Sequence, residues 1–468
     1  MAKTIDQRSS VGEPASYPFE QSYPTPEGSQ RARDDAGYAR ALTAYRFWYP
    51  TVSIEGFFNG FRELGIRDSE TCAVMASDPQ FMCFTPNSDT PYAAGPMDVA
   101  DGPMVVELPP GPFIAAADDH HQGWIMDMGL TGPDAGKGGK HLLLGPDYEG
   151  EVPDGYQVGR SSTHKIFWGV RALPLDGDLD KALQAIQTVK IYRLADPANP
   201  LPYVDLTGKR VNANAVRWED NFQFWEKLHE VIDAEPSTAF PGMYGLLAEL
   251  GIRKGKPFAP DARMKAILER AAKAGRDQML VSSFDSTRPD RVAWDDRRWE
   301  WASLVYDNGD FRTPSGIDLE ARDRWFAQAI LGSPAMFRRK VGQGSVYWLG
   351  VRDAEGDWLD GSNTYTLTVP QPVPAKLFWS VTIYDAETRS QIQTDQNNAA
   401  LRSLFELSHV ETTEPVDLYF APEPPTGHED RWIKTIPGKG WFSYFRVYGP
   451  EEPAFDGNWK PGDFDQVH

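Results

Sequence analysis

Two cysteines, Cys72 and Cys83, are all that 468 residues carry. A disulfide framework or a cysteine-rich zinc site needs more. The pair fits a reducing compartment and predicts small buried thiols, not a bridge. No apolar run approaches the roughly 20 residues of a membrane-crossing helix. The opening stretch, MAKTIDQRSSVGEPASYPFEQSYPTPEGSQ, lacks the apolar segment of a secretory signal, so a soluble cytoplasmic protein is expected. Positive charge is short as well: 47 Lys and Arg stand against 67 Asp and Glu, a net charge of −20. Such a chain repels nucleic-acid backbones and anionic lipid, which leaves a small-molecule ligand as the expected partner. A homo-oligomer stays open.

Several motifs are missing too. No G-x-S-x-G elbow occurs, which removes the main sign of an α/β-hydrolase. No G-x-G-x-x-G joins a strand to a helix, and GPDAGKGGKH (132–141) has the wrong spacing for a phosphate loop. Nothing signals a nucleotide or a flavin. His229-Glu230 opens like a zinc motif, but Asp233 stands where the second His belongs, so a solvated helix face is expected.

What the chain does have is rings and turns: 15 Trp, 18 Tyr, 24 Phe, 41 Gly and 38 Pro. Together they favour β-rich architecture. Residues 1–30 read as an arm. Over 31–177, apolar residues at helical spacing around Tyr38–Val52 precede short apolar runs cut by Gly and Pro, such as PMVVELPPG and THKIFWGVRAL. Pro50 predicts two helices or one broken one. Residues 178–341 read as a helical insert, with helices at 217–232 and from the Asp261 cap to a stop at Gly275. Residues 342–468 return to strands; TYTLTV (364–369) alternates strictly, as a sheet with one wet face does.

Four constellations could carry chemistry. FTPNSDTPY (84–92) offers Asn87 and Asp89, either bracing a loop or pointing into a cleft. Asp118-Asp119-His120-His121 ends an apolar strand, so Asp119 and His121 share one side. Carboxylate and imidazole together suit acid–base work or a divalent metal held by Asp119, His120 and His121. Lys140 and Arg160 belong to a basic set suited to an anion. KLFWSVTIYDAETRSQIQTDQ (376–396) supplies Trp379 as a platform and Arg389 as an anion partner.

TPNSDTPYA, DDHHQGW and RSSTHKIFWGVRAL together resemble the domain of unknown function 1254. VGQGSVYWLGVRDAEGDWLDGSNTYTL, FWSVTIYDAETRSQIQTDQ and PGKGWFSYFRVYGP resemble its partner, the domain of unknown function 1214. KGKPFAPDARMK is similar to the long branch with a helical insert. The resemblance implies an α+β, β-rich fold: a β-rich N-terminal domain, a helical insert and a C-terminal jelly-roll-like sandwich. Many relatives look exported. They often carry an aromatic pair where His120-His121 stands here. The resemblance implies no catalytic set. The expected function is a soluble enzyme acting on a small polar or anionic molecule by hydrolysis or related acid–base chemistry at the domain junction. In it Asp89, Asp119 and His121 are catalytic, and Asn87, Lys140, Arg160, Trp379 and Arg389 bind ligand. The alternative is a non-catalytic binding or scaffold protein.

Overall fold

A computed structural model describes residues 16–304, 309–410 and 413–467. Residues 1–15, half of the expected arm, lie outside the described residues. The remainder of the arm is ordered into structure: Phe19–Glu20 pairs with Tyr23–Pro24, and Pro26 already begins a helix. The fold is α+β and rich in strands, as expected.

Pro26–Glu63 is one helix of 38 residues, not two. Thr25 caps it by accepting from the Gly28 N–H at 3.0 Å. Proline at position 50 removes one backbone donor and pushes neighbouring carbonyls outward. Tertiary partners take up carbonyls around it: Arg322 Nη1 donates to Phe47 O, and Gln122 Nε2 donates to Pro50 O, both at 2.7 Å. Those two bonds help hold the helix on course through the expected break.

The N-terminal β domain is a pair of sheets. Six strands run in the order Tyr203–Asp205, Cys72–Ala76, Pro91–Asp98, Lys165–Ala172, Phe113–Asp119 and Trp124–Gly129. Four others run Tyr156–Arg160, Gly139–Leu144, Met104–Leu108 and Lys190–Arg193. Met97, Val106, Leu143 and Trp168 fill the core between them. The outer face of the six-stranded sheet is covered by Phe57, Phe58 and Phe61 of the long helix. Cys72 and Cys83 are buried free thiols.

In the insert, the helix expected over 217–232 begins later, at Gln223, and ends at Ala234. Asp261 caps the next as expected, accepting from Met264 N at 2.8 Å. That helix does not stop at Gly275; it runs from Ala262 to Phe284. Gly275 is there for close approach: a Cβ would sit 2.3 Å from Cδ1 of Tyr45. A shorter helix, Leu319–Phe326, leads into a strap with one helical turn at Pro334–Phe337 that re-enters at Ser345.

The C-terminal domain also has two sheets. Five strands run Glu300–Trp301, Ser345–Gly350, Trp441–Pro450, Ala375–Asp385 and Ala400–Arg402. Four run Trp432–Lys434, Val416–Ala421, Thr364–Val369 and Phe464–Val467. Thr364–Val369 alternates half-buried and buried residues, the expected wet face. Trp441–Pro450 is buried at every position. Trp441, Phe445 and Val447 point into the sandwich, while Phe442, Tyr444, Arg446 and Tyr448 point out of it. That second face is buried because the N-terminal domain and the insert lie against it.

Candidate ligand sites

A cavity of about 150 Å³ lies where the six-stranded sheet, the strap and the outer face of the sandwich meet. Its floor exists because three neighbouring positions are small. Ala94, Gly169 and Ala116 stand side by side across adjacent strands. A Cβ on Gly169 would meet only Phe167 Cζ, at 3.9 Å. Phe57, Phe84 and Trp325 make the walls apolar, and Tyr347, Tyr444 and Arg446 close it from the sandwich side.

Two guanidiniums reach this apolar space. Arg446 is 3% exposed, and only Nη2 finds a carbonyl, Thr85 O at 3.3 Å. Its Nη1 is buried with no hydrogen-bond partner. Arg171 lies 5.8 Å over the Tyr92 ring. Burial works against both charges, and facing tyrosines outweigh it. No ion pair among the described residues joins either arginine to a carboxylate. The carboxylate that acts on Arg446 through space is Asp89, whose Oδ2 accepts from Ser380 Oγ at 2.7 Å and Tyr448 OH at 3.1 Å. Asn87 lines the cavity, braced by its Nδ2 donating to Tyr448 OH and its Oδ1 accepting from Asp89 N. The FTPNSDTPY loop therefore braces itself and also faces the cavity.

Asp127 lies at the other side of the floor, opposite Ala116. Burial pushes its carboxyl up to about 6, against hydrogen bonds from Ser333 and the Ala335 N–H. Cys83 also lines the cavity, but burial raises its thiol to about 12, too high for a thiolate nucleophile at neutral pH.

Asp119, His121 and Arg160 meet in a different place, a cleft of about 290 Å³ beside the loop 119–124. Asp119 holds that loop: its Oδ1 accepts from the N–H groups of His121 and Gly123, both at 2.8 Å, and its Oδ2 from Ser162 Oγ at 2.5 Å. His121 lies edge-on to Trp48, with Nδ1 3.0 Å from Thr51 Oγ1 and Nε2 3.4 Å from Tyr244 OH. Burial lowers its pKa to about 4, so a base tuned to neutrality by a carboxylate, the expected role, is not what stands here. His120 points elsewhere, between Glu235 Oε1 at 3.0 Å and Glu55 Oε2 at 3.2 Å.

Several expected residues do other work. The metal set of Asp119, His120 and His121 does not form, because the two rings face different partners. Among the described residues no group of three or more His, Cys, Asp and Glu could hold a metal ion. Asp89 lies apart from the cleft of Asp119 and His121, so the three do not make one site. Lys140 is exposed, with its ammonium 5.8 Å from the Tyr156 ring. Trp379 stacks on Phe445 inside the sandwich, 5.5 Å between centroids. Arg389 is fully buried and pairs with Glu219, which leaves it nothing for a ligand. Sequence reasoning missed Arg446, Tyr347 and Asp127. The available signal was a lone arginine inside the apolar run WFSYFRVYGP, a charge in a strand otherwise fit for burial.

Two β-sandwiches clasping an apolar cavity with an arginine in its roof define an α+β protein with a junction pocket. The family described as a protein of unknown function (DUF1254) matches residues 71–193, and the protein of unknown function (DUF1214) matches 344–452. The chain belongs to this two-domain family. Among solved structures it is similar to the VPA0106 protein from Vibrio parahaemolyticus, at 18% identity and a TM-score of 0.56, covering 92% of this chain and 100% of that one. It also matches an uncharacterised protein from Burkholderia cenocepacia at 12% identity and a TM-score of 0.40, covering 94% and 97%. The first likeness is one of fold. No curated protein matches the chain.

Proposed function

We propose that the junction cavity binds a small molecule with an apolar body and a single anionic head. The observation that carries this is Arg446 Nη1, buried in an apolar cavity without a partner. A buried donor left unmade costs about 1–3 kcal/mol, more when charged. A ligand carboxylate would recover that cost through paired, charge-assisted bonds. Arg171 and Arg446 both reach the cavity, which suits an anionic head. The small floor at Ala94, Gly169 and Ala116 supplies room for the body. Benzoate and hexanoate should raise the melting temperature and give saturable heat in titration calorimetry, while benzyl alcohol should not. Arg446→Met should remove the response with circular dichroism unchanged. Equal responses to benzoate and benzyl alcohol would end this reading.

Acid–base turnover of the bound molecule, hydrolysis among its forms, is the second reading. Asp127 favours it, because a carboxyl near 6 at the cavity wall can give or take a proton at neutral pH. Asp127→Asn should then keep benzoate binding but abolish any turnover found in an ester screen.

A further inference from the structure

The cleft beside loop 119–124 holds a second guanidinium with an unfilled role. Arg322 is 6% exposed, yet it forms no ion pair with any described residue. Its Nη1 donates to Phe47 O at 2.7 Å, and no other donor of the five has a hydrogen bond among the described residues. Its face is occupied, with Phe47 at 4.9 Å and Phe326 at 5.6 Å. What remains for a partner is the edge of the guanidinium, on the cleft it lines.

The carboxylates around it are already used. Asp119 accepts three hydrogen bonds from its own loop and Ser162. Asp310 pairs with Arg312 at 2.9 Å. Asp323, the next residue on the helix, is turned to Arg46 at 2.5 Å. Arg160, which also lines the cleft, spends Nη1 on Gly145 O and Tyr148 O, each at 3.0 Å. Among the described residues, Arg160, Arg312 and Arg322 thus line the cleft with Asp119 and Asp310, one positive charge in excess. His121 adds none, because its ring stays neutral. Taking a guanidinium out of water without a carboxylate partner works against its charge. Burial accordingly pulls Arg322 down to about 10.

We propose that this cleft is a second binding site, for a small aromatic carboxylate whose anionic group pairs with the edge of Arg322. The aromatic body follows from the walls. Phe240 is half-buried at the cleft and meets Phe47 edge-on, 5.1 Å between centroids. A planar apolar group suits walls built from such rings. The carboxylate accepts from two N–H groups at once, a geometry that a guanidinium edge favours. This site shares no lining residue with the junction cavity; helix Leu319–Phe326 gives Arg322 to one and Trp325 to the other.

The test is calorimetric and fluorine-NMR titration of the full chain with 4-fluorobenzoate. Wild type should bind two equivalents. Arg322→Met should bind one, the lost site weakened at least ten-fold, and Arg446→Met should lose the other. One equivalent in wild type, lost only in Arg446→Met, would overturn the second site and leave the junction reading standing. One equivalent lost only in Arg322→Met would do the reverse. Two equivalents in Arg322→Met would overturn the proposal, and no binding at all would end both. Should Arg322→Met not fold, Ile317→Glu sets a competing carboxylate at the half-buried cleft wall and should remove the same equivalent; binding unchanged in that variant would count against the site.

Discussion

Arg389 and Glu219 lie 170 residues apart in sequence and meet inside the protein, with side chains 1% and 2% exposed. The guanidinium also donates to Ala327 O at 3.1 Å and Tyr49 OH at 3.2 Å, and it covers the Phe84 ring at 4.6 Å. Tyr49 OH donates to the same carboxylate at 2.7 Å. One ion pair therefore ties the sandwich, the insert and the long helix together.

Removing Arg389 leaves the buried Glu219 carboxylate with Arg276 Nε, at 3.4 Å, as its one remaining cation among the described residues. Arg389→Met should lower stability by about 3–5 kcal/mol in urea unfolding. Adding Glu219→Gln should recover part of that loss, because the buried charge goes with it. A cost under about 1 kcal/mol for the single variant would show that the pair does not hold these elements.

Gly275→Ala tests the close approach of two helices. The added methyl meets the buried Tyr45 ring, whose hydroxyl is fixed on Glu219 O at 2.6 Å. The ring cannot swing away without breaking that bond, so overpacking should cost about 1–3 kcal/mol despite alanine's better helix propensity. A variant as stable as wild type would mean the helices separate freely.

His120 should give stability a pH dependence on the alkaline side. Burial pulls its pKa down, but Glu235 and Glu55 outweigh it and the net movement is upward from 6.5. The stabilisation is complete below about pH 6.5 and fades as pH rises through the raised value. Glu55, carried down from 4.5 to about 2 by His120 and Arg62 against its burial, contributes above about pH 4.5 and is lost as pH falls toward 2. Glu235 moves downward likewise. His121 acts oppositely to His120: its lowered pKa favours the fold above about 6.5 and weakens it as pH falls toward 4. In urea unfolding from pH 5 to 9, His120→Gln should flatten the alkaline decline. An unaltered slope would place its origin elsewhere.

Gly169 separates room from stability. Gly169→Ala should fold as well as wild type, since its Cβ has ordinary space and alanine restricts the unfolded chain. Gly169→Leu should fill the cavity and abolish benzoate binding there. Undiminished binding in the leucine variant would remove the floor from the site.

Alternation and turn residues made the two β domains readable, because strand Thr364–Val369 keeps one face wet. The same rule could not say that Trp441–Pro450 is covered on both faces, since its second cover comes from elsewhere in the chain. Pro50 and Gly275 misled for a related reason. Each is a breaker by local preference, and each is held by partners far off in sequence: Arg322 and Gln122 for one, Tyr45 for the other. At the candidate sites, Asp119, His121 and Arg160 line one cleft, but the strand ends at Asp119, so a turn and not strand alternation carries His121 there. Residue spacing could not reveal that Glu55 and Glu235 claim His120, or that Glu219 claims Arg389. Polar residue types announce capacity; long-range neighbours decide whether it is already spent.

The long helix has a consequence for how the molecule comes apart. It gives Phe57 to the junction cavity, Phe47 to the cleft, Glu55 to His120 and Tyr49 to Glu219. The six-stranded sheet loses its outer cover once it leaves, as the C-terminal sandwich does without the N-terminal domain and the insert. Residues 71–193 or 344–452 expressed alone would therefore present bare sheet to water and should aggregate or bind hydrophobic dyes. In the intact chain, fluorescence and circular dichroism should report one shared melting transition, with no temperature at which one sandwich stands while the other has melted.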